Sequence, residues 1–157
     1  MVRFRYIASF CLFCLLLAAC EKNTISKIPQ ISLTQFYPEF AMKVNVDSVL
    51  IVFHLEDGDA DLGPDYKDDT MSSIHIKDSR FDSLGYTIYT FPYIDKNIED
   101  PKKGLVGECI FFPVPQPIPR DSLHGITGDT MYYEFYITDK AHHESNHIKT
   151  HTFIIKP

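Results

Sequence analysis

"VDSVLIVFHLEDGDADLG", residues 46–63, is the stretch on which the fold turns. In its first part Val49, Ile51, Phe53 and Leu55 occupy alternate positions, and His54 and Glu56 share the other face with Leu50 and Val52. A period of two is the mark of a strand with one face in a core. In its second part Asp57, Asp59 and Asp61 alternate with Gly58 and Ala60, just where the apolar run stops. Asp and Gly are ordinary turn residues, so a bare solvated turn is one reading. Three carboxylates gathered in a short loop also repel one another unless a cation joins them, which is the other.

Segments of the same kind lie on both sides. "QISLTQFYP" (30–38) is closed by Pro38, and "SIHIK" (73–77) alternates Ile74 and Ile76 with His75 and Lys77. "YTIYTFPYI" (86–94) is β-branched and aromatic, and its Pro92 points to a sheet edge. "LVGECIFFPV" (105–114), "TMYYEFYITD" (130–139) and "HIKTHTFIIKP" (147–157) complete the series, and no stretch has a helical period. The expectation is an all-β fold: a single antiparallel β-sandwich of about seven strands, immunoglobulin-like in strand number. Its core should hold Val49, Ile51, Phe53, Tyr133, Phe135 and Ile137. Four alternating prolines in residues 113–129 favour an extended, stiff surface loop.

In such a sandwich the loop after the second strand (57–69) and the loop after the sixth (140–146) share one end. Asp57, Asp59, Asp61 and Asp139 are therefore expected to converge, although Asp61 and Asp139 are far apart in the chain. Several hard oxygen ligands suit Ca²⁺, which takes six to eight. An EF-hand is excluded: counted from Asp57, position six is Leu62 where glycine is required, and position twelve is Asp68 where glutamate is required. Asp65, Asp68 and Asp69 are expected to face solvent. The first strand, antiparallel to the second, starts at this acidic pole, so the chain preceding it should join the domain there.

His142, His143, His147 and His151 cluster in sequence. On a strand only His147 and His151 share a face, about 13 Å apart by strand rise, too far for one zinc ion. They are read as surface histidines.

The N-terminus has Arg3 and Arg5, an apolar run over 7–19, and Leu17-Ala18-Ala19-Cys20. This resembles the lipobox of a bacterial lipoprotein signal peptide. The resemblance implies cleavage before Cys20, a lipid on that cysteine, and residence in the bacterial cell envelope at the outer membrane, anchored without spanning. The expected organisation is a leader over 1–19, a lipidated cysteine and tether over 20–28, and the sandwich over 29–157. Loss of the leader takes the net charge from −6 to −8 and leaves Cys109 as the one free thiol, in a strand-like run that favours burial. An acidic chain without a basic stripe argues against nucleic acid as a partner.

"DSVLIVFHLEDGDADLG" (47–63), "IKDSR" (76–80) and "GDTMYYEFYITDKAHHESNHIKT" (128–150) together resemble a group of small Bacteroidota-type envelope lipoproteins of uncharacterised function. Members carry a "DGDGDLG"-like loop and a "DTVxYEIYIxDxAGHxSN"-like segment. The ending over 139–146 also resembles the "DxAGNxS" of bacterial immunoglobulin-like and cadherin-like domains. The resemblance implies one immunoglobulin-like domain with a Ca²⁺ site; it does not imply an activity. His143 is the departure, standing where such segments often have a polar or glycine residue, and it bears on the geometry of that turn.

Three functions compete. The first is a non-catalytic, Ca²⁺-stabilised binding or assembly domain with an unidentified protein or glycan partner. The second is surface glycan capture by some of the nine tyrosines, without the tryptophan that serves best. The third is a metal-dependent hydrolase using Asp57 to Asp61 with His142 or His143; no G-x-S-x-G or H-E-x-x-H motif supports it.

Overall fold

The computed structural model describes residues 25–43, 45–64, 72–94, 103–114 and 129–156. The leader 1–19, Cys20, the tether as far as residue 24, Asp65, Asp68, Asp69 and residues 115–128 of the proline-rich loop lie outside the described residues. What is described is mostly strand, in sheets that are antiparallel but for one pairing.

β3 (Leu50–Asp57) is the centre of the first sheet, between β1 (Gln30–Tyr37) and β6 (Leu105–Phe111), both antiparallel to it. The β1 register runs from Gln30 opposite Glu56 to Tyr37 opposite Leu50, with a slip between Leu33 and Gln35. β3 starts later than its apolar run. Residues 45 and 46 form a turn, with Asn45 at φ 62° and the N–H groups of Val46 and Asp47 both donating to the Lys43 carbonyl, and residues 47–49 lead from it into the strand.

β4 (Ser73–Asp78) pairs with β5 (Thr87–Thr90) and with β8 (Tyr133–Thr138), and β8 pairs with β9 (Ile148–Lys149). β5 is outermost, as Pro92 suggested. β10 (Phe153–Lys156) pairs antiparallel with β7 (Asp129–Met131) and parallel with β2 (Ala41–Lys43), a strand the sequence did not announce.

The segments 130–139 and 147–157 are thus each two strands, for a local reason. Ser79 takes both backbone groups of Tyr132: its Oγ accepts the Tyr132 N–H at 2.9 Å and its N–H donates to the Tyr132 carbonyl at 3.1 Å. Opposite the break, Thr150 stands in for the ladder. Its Oγ1 accepts the Tyr133 N–H at 3.0 Å and its N–H donates to the Tyr133 carbonyl at 2.9 Å. β7–β8 and β9–β10 are therefore successive halves of one hairpin.

A short 3₁₀ segment, Ser79–Leu84, kinked at Phe81, follows β4. Asp78 caps it, accepting the Arg80 N–H at 2.9 Å, and also holds the Arg80 guanidinium at 2.6 Å with both side chains nearly buried.

The inward rows of all the sheets form one apolar cluster. Phe53 and Phe135 meet across it with their rings tilted by 51°, centroids 5.5 Å apart, and Phe36 meets Phe153 at 5.3 Å. All six expected core residues are buried, Tyr133 with its hydroxyl included. Cys109 is buried too, and burial pushes its thiol up to about 11, which keeps it protonated and inert.

Phe53 is fully buried and Ile110 is 62% exposed, which separates packing from mere hydrophobicity. Phe53→Ala should lower unfolding stability by about 3–5 kcal/mol. Ile110→Ala should change it by no more than about 0.5 kcal/mol. Urea denaturation of both variants measures the contrast.

Candidate metal centre

The core-facing row of β3 is Ile51, Phe53, Leu55 and then Asp57; that of β8 is Tyr133, Phe135, Ile137 and then, one residue beyond the strand, Asp139. The alternation does not stop when the side chains turn polar. Both aspartates stay at 0% exposure, at the same end of two sheets that face each other.

The loop after β3 folds back on Asp57. Its Oδ2 accepts the Asp61 N–H at 3.1 Å, Ala60 turns the chain in the left-handed region at φ 55°, and Leu62, fully buried, plugs the end of the core. Asp61 then reaches the other loop, its Oδ2 accepting the Ala141 N–H at 3.1 Å. Asp139 is held by His143 twice, through the backbone N–H to Oδ1 and ring Nδ1 to Oδ2, each at 2.7 Å.

All four expected aspartates, Asp57, Asp59, Asp61 and Asp139, are brought together. Each offers one oxygen, and these oxygens lie within 4.8 Å of one another. The Oδ1 atoms of Asp57, Asp59 and Asp61 are buried with no hydrogen-bond partner among the described residues. Each loop aspartate therefore leaves one oxygen unused in the same small volume. At an effective dielectric of about 20, a pair of charges at 4.8 Å repels by roughly 3 kcal/mol.

The titration of the cluster records that strain. Burial, then Asp61 and Asp59, pushes the Asp57 carboxyl up to about 7. Burial, then Asp139 and Asp59, raises Asp61. The bond to Asp139 raises the His143 imidazole. The arrangement suits a cation that takes hard oxygen ligands, and it contains neither the nitrogen nor the sulfur of a zinc set.

The other histidines do not converge. His142 is exposed, at φ 66°. His147 bonds Glu144 at 2.6 Å and Glu134 at 3.4 Å. His151 bonds the Pro38 carbonyl at 3.2 Å. The turn's departure from glycine also falls one residue earlier than expected. His142 carries the left-handed backbone, and His143 has a use, orienting Asp139, that the sequence reading missed. Its signal was the four-residue spacing Asp139 to His143 across a tight turn.

Compared with protein-family models, with curated proteins and with solved structures, the chain finds no match in any of the three.

The pH dependence of the metal-free protein follows from these shifts. A carboxyl raised from 3.8 to about 7 holds its proton more tightly folded than unfolded, so stability falls as pH rises through that window. His143, raised above 6.5, gives stability below that value that is lost as pH rises through its folded value, in the same direction. In chelator the protein should melt lower at pH 8 than at pH 5. The gap between calcium-loaded and chelated samples should widen at pH 8, because a bound cation keeps the carboxylates ionised. Thermal melts at both pH values check this.

Proposed function

We propose that this chain is a non-catalytic, lipid-anchored bacterial envelope protein whose immunoglobulin-like sandwich is closed at one pole by Ca²⁺ and serves binding or assembly. One observation carries the reading: Asp57, Asp59, Asp61 and Asp139 bring carboxylate oxygens within 4.8 Å of one another, and the Oδ1 atoms of the first three are buried with no partner among the described residues. Four carboxylates on two loops make an adaptable oxygen set, which favours Ca²⁺ over the smaller, strictly octahedral Mg²⁺.

Strand order supports the immunoglobulin-like assignment. β1-β3-β6 forms one layer and β5-β4-β8 with the β9–β10 strand the other, while β2, just after β1, crosses to pair parallel with β10. The anchor rests on Leu17-Ala18-Ala19-Cys20, and the likeness to Bacteroidota-type envelope lipoproteins on the acidic loop and the 128–150 segment.

Glycan capture by the tyrosine face is the weaker reading. Tyr136 is sandwiched between His75 at 4.5 Å and His147 at 4.4 Å, both nearly parallel to it, so its ring faces are already covered. A hydrolase reading would use His143, oriented through Nδ1 by Asp139, as a base, and no G-x-S-x-G or H-E-x-x-H motif accompanies it.

Calcium at about a hundred times its dissociation constant should add roughly 2.7 kcal/mol of stability. Asp59→Asn with Asp61→Asn should abolish the gain. A wild-type melt unmoved by millimolar calcium would mean that the carboxylates hold no such ion. For the anchor, mass spectrometry of the protein purified from membranes should find Cys20 as an acyl-modified N-terminus; an unmodified cysteine inside a longer chain would refute it.

A further inference from the structure

Residues 25–28, the end of the expected tether, do not simply lead away from the domain. They lie across the backbone of the acidic loop. The Ser26 carbonyl accepts the Gly58 N–H at 2.7 Å. A Cβ at Gly58 would stand 2.3 Å from the Ile25 oxygen and 2.7 Å from the Ser26 oxygen, and one at Gly104 would stand 2.7 Å from the Asp57 oxygen and 3.2 Å from Ile25 Cδ1. The left-handed positions of the loop are Ala60 and Gly63, so glycine at 58 answers to this close approach and not to the turn. Lys27 Nζ lies 3.8 Å from Asp59 Oδ2.

We infer that residues 25–28 are a strap that the cation seats. An occupied site holds the strap on the loop, and an empty site releases it, so the cation sets how much free chain separates the anchor from the domain. This rests on the Ca²⁺ reading of the site, and its consequence for reach rests on lipidation at Cys20.

The sign follows from comparing two effects. In the empty site the carboxylates push residues 57–61 apart, and the Gly58 N–H moves away from Ser26. Against this, Lys27 is drawn to Asp59 most strongly when the cluster is bare. The Lys27 side chain is 76% exposed, so solvent and salt screen that pair and it contributes little. The carboxylate oxygens lie within 4.8 Å of one another, and Asp57 and Asp139 are fully buried, so their repulsion is screened far less. Repulsion wins, so the cation seats the strap. With the strap seated, the chain from Cys20 to Ile25 spans at most about 17 Å; with it released as far as Gln30, about 34 Å. Calcium would hold the acidic pole near the leaflet, and its loss would let the domain swing out.

The bond after Lys27 reports seating directly. The full chain, purified from membranes in detergent, is digested with a lysine-specific protease that needs no metal, with and without saturating calcium. Cleavage between Lys27 and Ile28 is normalised to an added lysine peptide, potassium chloride controls for ionic strength, and calcium binding is measured separately by radiocalcium dialysis. Calcium should slow this cleavage about tenfold, within the usual range of coupling between sites. In Gly58→Ala, cleavage should be fast in either condition. Calcium affinity there should fall by the factor that protection gained in the wild type, because coupling is reciprocal. Calcium that binds the wild type while cleavage stays the same or quickens overturns the strap and leaves the site intact. No bound calcium together with unchanged cleavage overturns both.

Discussion

Two core-facing rows on facing sheets each end in a buried carboxylate, and the organisation of this pole follows from what those two groups require. Ionised carboxylates taken out of water cost several kcal/mol each unless donors or cations replace the lost hydration. Asp139 has the backbone N–H and the imidazole of His143. Among the described residues Asp57 accepts the Asp61 N–H and Asp61 accepts that of Ala141, and the Oδ1 of each has no hydrogen-bond partner. The donors do not match the acceptors. The same bonds tie the loop after β3 to the loop after β8, so the position of each loop depends on charge balance at the other. A proton on Asp57 or a bound cation closes the balance; a cation answers all three unused oxygens together, and a proton only one.

Much of this was legible because both signals are periodic and local. Alternation identified the core, and the same alternation, carried one step further, would have placed Asp57 and Asp139 inside rather than on a loop surface. What could not be read depends on single contacts between distant residues. The break in the β7–β8 strand arises because Ser79, 53 residues away, takes the backbone of Tyr132. Asn146 fixes the start of β1 by bonding both backbone groups of Ile31, 115 residues distant. β2 is three residues long, below the length at which a period can be recognised, and exists because β10 offers it an edge.

The glycines and the turn residues teach a related point. Sequence reading assigns glycine in an acidic loop to the turn. Here the loop's left-handed residue after Asp59 is Ala60, and in the second loop it is His142, both residues that bear some strain there. Gly58 has a different duty, making room for the backbone of residues 25 and 26. A motif of alternating Asp and Gly therefore combines two demands, ligand direction from the aspartates and close approach from the glycine, and only the first is visible in a single sequence.

A second acidic group in the same domain shows that carboxylates here are not strained merely by being crowded. Glu134, on the outer face of β8, is lowered to about 2, first by the Tyr86 hydroxyl at 2.9 Å and then by His147 and Lys149. Asp57, at the inner end of a core row, is raised to about 7 by burial and by its own kind. One carboxylate is surrounded by donors and cations supplied by the fold; the other is surrounded by carboxylates. The fold thus has the means to satisfy an acid with its own side chains, and at the acidic pole, among the described residues, it gives Asp139 the His143 imidazole and Asp59 the exposed Lys27 while the Oδ1 atoms of Asp57, Asp59 and Asp61 have no hydrogen-bond partner. Lys27, paired with Asp59 at 3.8 Å, sits on the solvent side, largely exposed. Within one domain, then, Glu134 is met by donors and cations of the chain, whereas Asp57, Asp59, Asp61 and Asp139 gather oxygens that could hold a cation from outside it.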